Sequence, residues 1–203
     1  LKGDYSDHWE GRKWSYRISV KGDNRVYGMK SFSVQSPNTR KGLNEWYYQS
    51  MLKSEGLIAL QHKFISLKEN GEDKGIYNLE ESFDKQLLER NKTREAPILK
   101  FDESILIDAN SINSNGAHSE NNLFLLAKVD VFKSKRTLKD PVLFAQYQKG
   151  KYLLENVRSR SIDLSEAIDV DKAAKLFAIS DLTFGFHAVR WKNLRFYYNP
   201  VIG

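Results

Sequence analysis

Apolar and polar residues alternate along the first third of the chain, a pattern typical of β-strands. Over residues 13–20 apolar side chains occupy every second position, and a polar turn follows at residues 21–24. Residues 25–35 resume the strand pattern, so the two runs predict a β-hairpin. Two more strands, over residues 60–67 and 75–79, are expected around a second polar turn.

Apolar residues recur at helical spacing between these two predicted hairpins. Trp46, Tyr47 and Met51 fall on one face of a predicted helix over residues 43–54, and Gly56 supplies a stop signal. The order of elements up to residue 82 is therefore expected to be β-β-α-β-β. Such an order describes an antiparallel sheet with one helix packed on it, and the predicted fold class is α+β.

The rest of the chain is predicted to be mainly helical. Residues 108–122 are polar and rich in Ser and Asn, which predicts a loop. Residues 110–122 are expected to be the most mobile internal segment, because few of their side chains are apolar enough to bury. The apolar run 123–131 fits either a strand or a helix. Helices are expected over residues 83–90, 141–159 and 169–178, and short strands over residues 96–101 and 195–198.

Composition places the chain among globular proteins. It has 203 residues, of which 40% are hydrophobic and 29% are charged, enough material for a sizeable core. No apolar run is long enough to predict a membrane span, and the lack of cysteine excludes disulfides and thiolate metal sites. The chain opens on Leu1 rather than Met, so we expect that an upstream segment has been removed.

The net charge of +6 leaves two interpretations open, an ordinary basic surface or a cleft that binds anions. The basic residues are scattered along the chain and no RNP-type aromatic motif is found, which argues against a nucleic-acid partner. The motifs of zinc peptidases, serine hydrolases and P-loop NTPases are missing, and the four histidines are dispersed.

The most specific segment of the chain covers residues 70–84 and reads NGEDKGIYNLEESFD. It resembles the NGxxxGxYxLxExxD signature of the spore-coat kinase family (CotH), which has an atypical protein-kinase-like fold. GMKSFSVQSP, which begins at Gly28, resembles a strand of the same family. The resemblance implies a single two-lobed domain. Its antiparallel N-lobe would cover residues 1–84, and its mainly helical C-lobe, expected to be truncated at the C-terminus, residues 85–203.

Lys30 and Glu45 are the first candidate site residues. Lys30 lies on the second predicted strand, and Glu45 lies near the start of the following helix. In kinases a strand lysine paired with a helix glutamate holds the nucleotide phosphates. We therefore expect Lys30 and Glu45 to form a salt bridge in a cleft that also contains Glu81. Arg17 on the first strand is a rival cation, and it becomes the better candidate if Lys30 points away.

The resemblance implies further site residues near both ends of the chain. Gly3 belongs to an opening stretch, LKGDYS, whose backbone is expected to approach phosphate. Glu81 falls on the signature acid and is assigned to the nucleotide cleft. Asp181 resembles the family's aspartate whose carboxylate acts as the catalytic base, and Asn193 is the expected metal ligand. Ala188 stands where many members of the family have Asn.

The second metal-binding acid of the family has no counterpart in the last residues of this sequence. Nothing between Arg195 and Gly203 is acidic. We therefore expect the acidic metal motif to lie further on, and residues 1–203 alone to be inactive or nearly so.

The resemblance implies ATP-dependent transfer of phosphate to Ser or Thr hydroxyls of a protein partner, with Mg²⁺ or Mn²⁺. It also suggests a secreted, cell-envelope or spore-coat location, and the oligomeric state is left open. The alternative is a non-catalytic envelope or adhesion module on the same fold, in which the polar segment 108–122 and the many aromatic residues form an interface. Stabilisation by nucleotide separates the two hypotheses.

Overall fold

The computed structural model describes residue 8 and residues 11–40, 42–105 and 120–203. Within these ranges the fold is mixed α+β, with antiparallel sheets and helices, which confirms the predicted class at this level. Most of the polar segment predicted over residues 108–122 lies outside the described residues. Its last three residues do not form a loop, because a helix begins at Glu120.

Four antiparallel strands form the first sheet. They are β1 (Tyr16–Ser19), β2 (Ser31–Gln35), β3 (His62–Glu69) and β4 (Glu72–Glu81). Their order in the sheet is β1-β2-β4-β3. A 3₁₀ turn at Pro37–Arg40 and helix α1 (Asn44–Ser54) connect β2 to β3, so the chain order β-β-α-β-β is the predicted one.

A two-residue turn joins β3 to β4. Glu69 pairs with Glu72, and the two residues between them, Asn70 and Gly71, both have positive φ, 51° and 86°. This backbone matches the right-handed twist of the flanking strands, and Asn and Gly adopt it more readily than other residues. As a result β4 starts three residues before the predicted position.

The two faces of the first sheet differ in chemistry. Phe32 and Val34 of β2 and Tyr77 and Leu79 of β4 are buried together on one face, and Ile65 of β3 packs against them. Side chains alternate between the faces of a strand, so the residues between these positions share the opposite face. On that face the strands carry mostly polar residues, which are the residue types that a functional site requires.

Three antiparallel strands form the second sheet. The remaining elements of the chain are α2 (Lys85–Arg90), β5 (Ile98–Phe101), α3 (Glu120–Leu126), β6 (Val129–Val131), α4 (Ser134–Thr137), α5 (Pro141–Arg158), α6 (Leu164–Ala167), α7 (Val170–Leu182) and β7 (Phe196–Tyr197). The strand order is β6-β5-β7. Phe101, Val129 and Leu154 lie in the core beside this sheet. A Cβ added at Gly150 of α5 would lie 3.1 Å from a methyl carbon of Leu99, so the glycine permits close packing of α5 on β5.

Aspartates cap three of the helices. Asp84 accepts hydrogen bonds from two backbone N–H groups at the start of α2, at 3.1 and 3.4 Å. Asp140 caps α5 in the same way, at 2.9 and 3.1 Å. Asp169 accepts from the backbone N–H of Lys172 at 3.1 Å at the start of α7. Each cap satisfies a backbone donor that the helix itself leaves without a partner.

The described residues fall into two compact units. The first contains the residues up to Thr93 together with Ala178–Gly185, and the second contains those of Arg94–Phe177 and Phe186–Gly203. The end of α7 thus belongs to the unit of the first sheet. The two-lobed kinase arrangement with a boundary after residue 84 stays a prediction. Over the described ranges no helix is long and apolar enough to cross a membrane.

Candidate functional site

The polar face of the first sheet is the principal candidate site. Arg17 on β1 lies opposite Ser33 on β2. Ser33 in turn lies opposite Glu80 on β4, and Glu80 lies opposite His62 on β3. Strand register and side-chain alternation therefore bring a cation, a hydroxyl, a carboxylate and an imidazole into one row on this face.

Two amide side chains form a second row on the polar face. Gln35 lies opposite Asn78, and both residues are 0% exposed. Gln35 Nε2 donates to Glu80 Oε2 at 2.9 Å, which joins the two rows. Within the described part of the chain, Gln35 Oε1 and both amide atoms of Asn78 have no hydrogen-bond partner. A buried polar atom without a partner costs about 1–3 kcal/mol, so these three atoms mark an energetically costly point of this face.

The two rival cations have different surroundings. Arg17 is exposed on the polar face of the first sheet. Lys30 lies just before β2, where its Nζ donates to Gly22 O at 3.0 Å and lies 3.8 Å from Asp23 Oδ1. These partners at the β1–β2 turn correct the expected salt bridge with Glu45. By the criterion stated above, Arg17 becomes the better candidate for phosphate.

Glu45 is tied to its own helix and, through it, to the segment that leads into β3. It lies in the first turn of α1, and its Oε1 accepts from Gln49 Nε2 at 2.8 Å. Gln49 is buried, and its Oε1 accepts from the backbone N–H of Leu60 at 2.7 Å. Gln49 therefore links Glu45 to the connector between α1 and β3.

Glu81 is buried and pairs with Arg90 of α2. It is 3% exposed, lies opposite Phe32 in the sheet, and forms a salt bridge with the guanidinium of Arg90. Its Oε2 also accepts from the backbone N–H of Gln61 at 2.8 Å. Neighbouring residues of a strand point to opposite faces, so Glu80 and not Glu81 lies on the polar face. The nucleotide role of Glu81 stays a prediction, and its observed contacts are those of a residue that holds the chain.

Four side chains bind the backbone of three successive connector residues, 59–61. Besides the contacts of Gln49 and Glu81, Arg90 Nη2 donates to Ala59 O at 2.9 Å. Asn91 Oδ1 accepts from Ala59 N, and its Nδ2 donates to Ala59 O, both at 3.1 Å. We call Gln49, Glu81, Arg90 and Asn91 the connector clasp. It joins α1, the end of β4 and the end of α2.

Asp181 lies exposed in the last turn of α7, within the first unit. The helix ends sharply after it, because Phe184 has a positive φ of 53° and Gly185 N donates to Ser180 O at 2.7 Å. A carboxylate at this position faces the negative end of the helix dipole and so disfavours the helix. Helix stability therefore does not explain the presence of Asp181.

Asn193 lies in the second unit and is held by its neighbours. Its Nδ2 donates to His187 O at 2.7 Å, and its backbone N–H donates to Arg190 O at 2.8 Å. The side-chain amide is thus oriented with Oδ1 as the atom able to ligate a cation. In the ranges that the structure describes, no group of three or more His, Asp or Glu residues is placed to hold a metal ion. Gly3 lies outside those ranges.

Comparison with known families settles the resemblance. A family model described as CotH kinase protein matches residues 1–198. The chain belongs to the CotH kinase family. Its similarity thus extends over nearly the whole sequence and confirms the family predicted from residues 70–84. A search of curated proteins finds no match to the chain.

Several residues of this CotH kinase chain have contacts that the sequence did not predict. Gln35 and Asn78 occupy polar positions of alternating strands, which predicts a solvated face, whereas the structure buries both. The sequence did contain a signal for this pair. The strand segments SFSVQ and YNLEE both carry polar residues at alternate positions, and these residues lie in register on two central strands. Arg90 and Gln49 carried no signal, because their partners are backbone groups and a carboxylate on other elements.

Proposed function

We propose that this chain is the nucleotide-binding part of an ATP-dependent protein phosphotransferase that acts on Ser or Thr hydroxyls. The match of the CotH kinase model to residues 1–198 carries the proposal. Phosphoryl transfer in kinases relies on positioning and on neutralising charge, so the relevant side chains are those that meet phosphate, metal and hydroxyl.

The polar face of the first sheet is the proposed nucleotide surface. Arg17 supplies positive charge there, and its guanidinium can meet two phosphate oxygens at once. Gln35 and Asn78 lie on the same face but are 0% exposed, so they support this face from within the protein and do not meet the nucleotide themselves. Glu80 holds the Gln35 amide in place at 2.9 Å. Glu45 contributes by fixing α1 rather than by binding Lys30.

Asp181 is the proposed base that accepts the proton of the substrate hydroxyl. Its exposed position at the end of α7 leaves the carboxylate accessible to a protein substrate. Asn193 is the proposed metal ligand through Oδ1. When bound, a divalent cation neutralises the charge of the transferred phosphoryl group. The described residues do not assemble an acidic metal cluster around either residue, so the metal requirement rests on the family alone.

Nucleotide affinity tests the proposal and decides between the two cations. Binding of a non-hydrolysable ATP analogue in Mn²⁺ would be measured by calorimetry for the wild-type chain and for Arg17→Gln, Lys30→Gln and Lys21→Gln. Each variant removes one positive charge from the first unit, and Lys21 is exposed at the β1–β2 turn. We expect Arg17→Gln to weaken binding about tenfold or more, because a hydrogen bond to a charged group contributes about 1.5–3 kcal/mol.

The other two variants are expected to bind within about twofold of the wild type, since their charges lie away from the polar face. A selective loss in Lys30→Gln would return the phosphate role to Lys30. Absence of nucleotide binding in every chain would overturn the proposal.

That last result would favour the second candidate, a non-catalytic binding module. Its support is the exposure of large aromatic side chains on the first unit: Trp14, Trp46 and Tyr47 are 44%, 40% and 53% exposed. Aromatic residues of this kind are enriched at protein interfaces.

A further inference from the structure

A second concave site lies in the first unit, beside the connector clasp. It is a pocket of about 520 Å³ between α1, the connector into β3 and the end of α2. Pockets that hold small organic ligands have about this size. The proposed nucleotide surface is centred on Arg17, which does not line this pocket, although His62 at the other end of the same row does.

Hydrogen bonds to the backbone hold several of the side chains that line the pocket. Gln49, Arg90 and Asn91 line it, and each makes a hydrogen bond of 2.7–3.1 Å to the backbone of Ala59 or Leu60. Binding then requires little ordering of the protein, because the clasp already fixes these groups.

The walls of the pocket are positively charged. Among its lining residues are Lys53, Lys63, Arg90 and Lys92, and none of the lining residues is acidic. Arg90 is neutralised by Glu81, and the Lys63 ammonium lies 5.0 Å from the centre of the Tyr27 ring. Lys53 and Lys92 are exposed, and no ion pair involves them among the residues described. Their charges are therefore available to a ligand, and a concave surface strengthens their combined field.

Trp46 gives the pocket an aromatic wall. The residue is 40% exposed, and its ring lies edge-on against Tyr47, with 5.1 Å between ring centres. An indole face is a stacking platform for a planar group, worth about 0.5–1.5 kcal/mol beyond the buried area. Side chains already held by the clasp, two ammonium groups and one indole favour an anion attached to a planar ring.

We propose that this pocket binds a phosphate ester of a planar organic group, with the phosphate between Lys53 and Lys92 and the ring on Trp46. The proposal goes beyond the proposed phosphotransferase activity and does not depend on it. Phosphotyrosine on a protein and a free aromatic phosphate share this chemistry. An occupant would contact α1, the connector and α2 at once, and so would stabilise the clasp.

Phenyl phosphate is the probe for the test. Its binding would be followed by amide chemical shifts of the isotope-labelled 203-residue chain. We expect saturable chemical-shift changes at the pocket residues. The dissociation constant should be at least fivefold larger for Lys53→Gln/Lys92→Gln than for the wild type. Lys21→Gln/Lys68→Gln removes the same charge from exposed sites elsewhere in the first unit and should change binding less than twofold. Trp46→Ala should weaken phenyl phosphate more than inorganic phosphate.

Three results would overturn the proposal. The first is the absence of chemical-shift changes at the pocket residues when the probe is at 10-fold excess over a dissociation constant of about 1 mM, a typical weak-binding range. The second is equal weakening of probe binding by both double variants. The third is loss of probe binding in Arg17→Gln alone. The last would place the probe on the polar face of the sheet. A phosphotyrosine pentapeptide flanked by Gly and Ser forms the second arm. Tighter binding of the peptide than of phenyl phosphate assigns the site to a modified protein, and equal binding assigns it to a free phosphate ester.

Discussion

At the scale of single residues, two adjacent glutamates of β4 have opposite surroundings. Glu80 lies on the polar face and accepts from Gln35, whereas Glu81 is buried and pairs with Arg90. The difference follows from the two-residue period of a strand, which turns successive side chains to opposite faces. The family signature can therefore include an acid whose contacts in this chain hold the fold together.

Removing Arg90 should destabilise the first unit strongly. In Arg90→Ala the buried Glu81 loses its cation, and loss of one partner of a buried pair costs about 3–5 kcal/mol. We expect the lower end of this range, because the Arg90 side chain is 32% exposed. The measurement is urea unfolding followed by circular dichroism.

Glu89→Gln is the matched control on the same helix. It removes a carboxylate 3.4 Å from Lys85 in an exposed pair, and such pairs contribute at most about 1 kcal/mol. Similar losses of unfolding free energy in the two variants would show that the buried Glu81 does not need Arg90.

At the scale of elements, the β3–β4 hairpin shows what the sequence could and could not predict. The Asn-Gly pair and the flanking strands were evident, because that dipeptide favours a tight turn. The predicted turn was too long, since the polar residues Glu72, Asp73 and Lys74 belong to β4. Glu72 and Asp73 pair with β3, and Lys74 forms a salt bridge with Glu69 across the hairpin. Charged side chains at a strand end cost little when they face solvent, so polarity alone does not limit a strand.

A side chain at Gly71 should destabilise the turn through the backbone conformation and not through a steric clash. A Cβ at this position would meet no atom within 4 Å, but φ is 86°. We expect Gly71→Ala to lower the melting temperature, with a loss of about 1–2 kcal/mol from the unfavourable left-handed conformation.

Asn70→Gly is the companion variant, and its free energy of unfolding should stay within about 0.5 kcal/mol of the wild type, because both residues accept positive φ. A neutral Gly71→Ala would mean that the turn rearranges.

At the scale of the whole molecule, the order of strands and helices up to residue 82 was predictable because it depends on local pattern. The polar face was not, because its burial depends on elements distant in the sequence. The same holds for Lys30, since no local pattern told which partners its side chain would have. Arg17 and Glu45 therefore lie in the predicted elements, whereas Lys30 precedes β2, and the direction of each side chain depended on tertiary packing.

Alkaline pH should weaken the fold through two tyrosines. The hydrogen bond to Glu69 raises the pKa of Tyr16 to about 12, and burial raises the pKa of Tyr48 to about 12. Both pKa values lie above that of an unfolded tyrosine, about 10, so the stabilisation is complete below pH 10 and is lost as pH rises towards 12.

Urea unfolding at pH 9 and pH 11 measures this loss. Because Tyr48 is 7% exposed, Tyr48→Phe should remove about 1 kcal/mol of the decrease between these two pH values. Tyr152→Phe, at a site 64% exposed, is the control and should decrease as the wild type does. An unchanged decrease in Tyr48→Phe would exclude Tyr48 as a source.

The connector clasp has a consequence for the exchange of backbone hydrogens with deuterium. Residues 59–61 precede β3 and belong to no helix or strand, yet their three N–H groups are bound to Asn91, Gln49 and Glu81 at 3.1, 2.7 and 2.8 Å. Each N–H group can exchange only when its hydrogen bond to a side chain of a different element breaks. We therefore expect this irregular stretch to exchange as slowly as the centre of β4, and the three amides to become labelled together when the first unit unfolds.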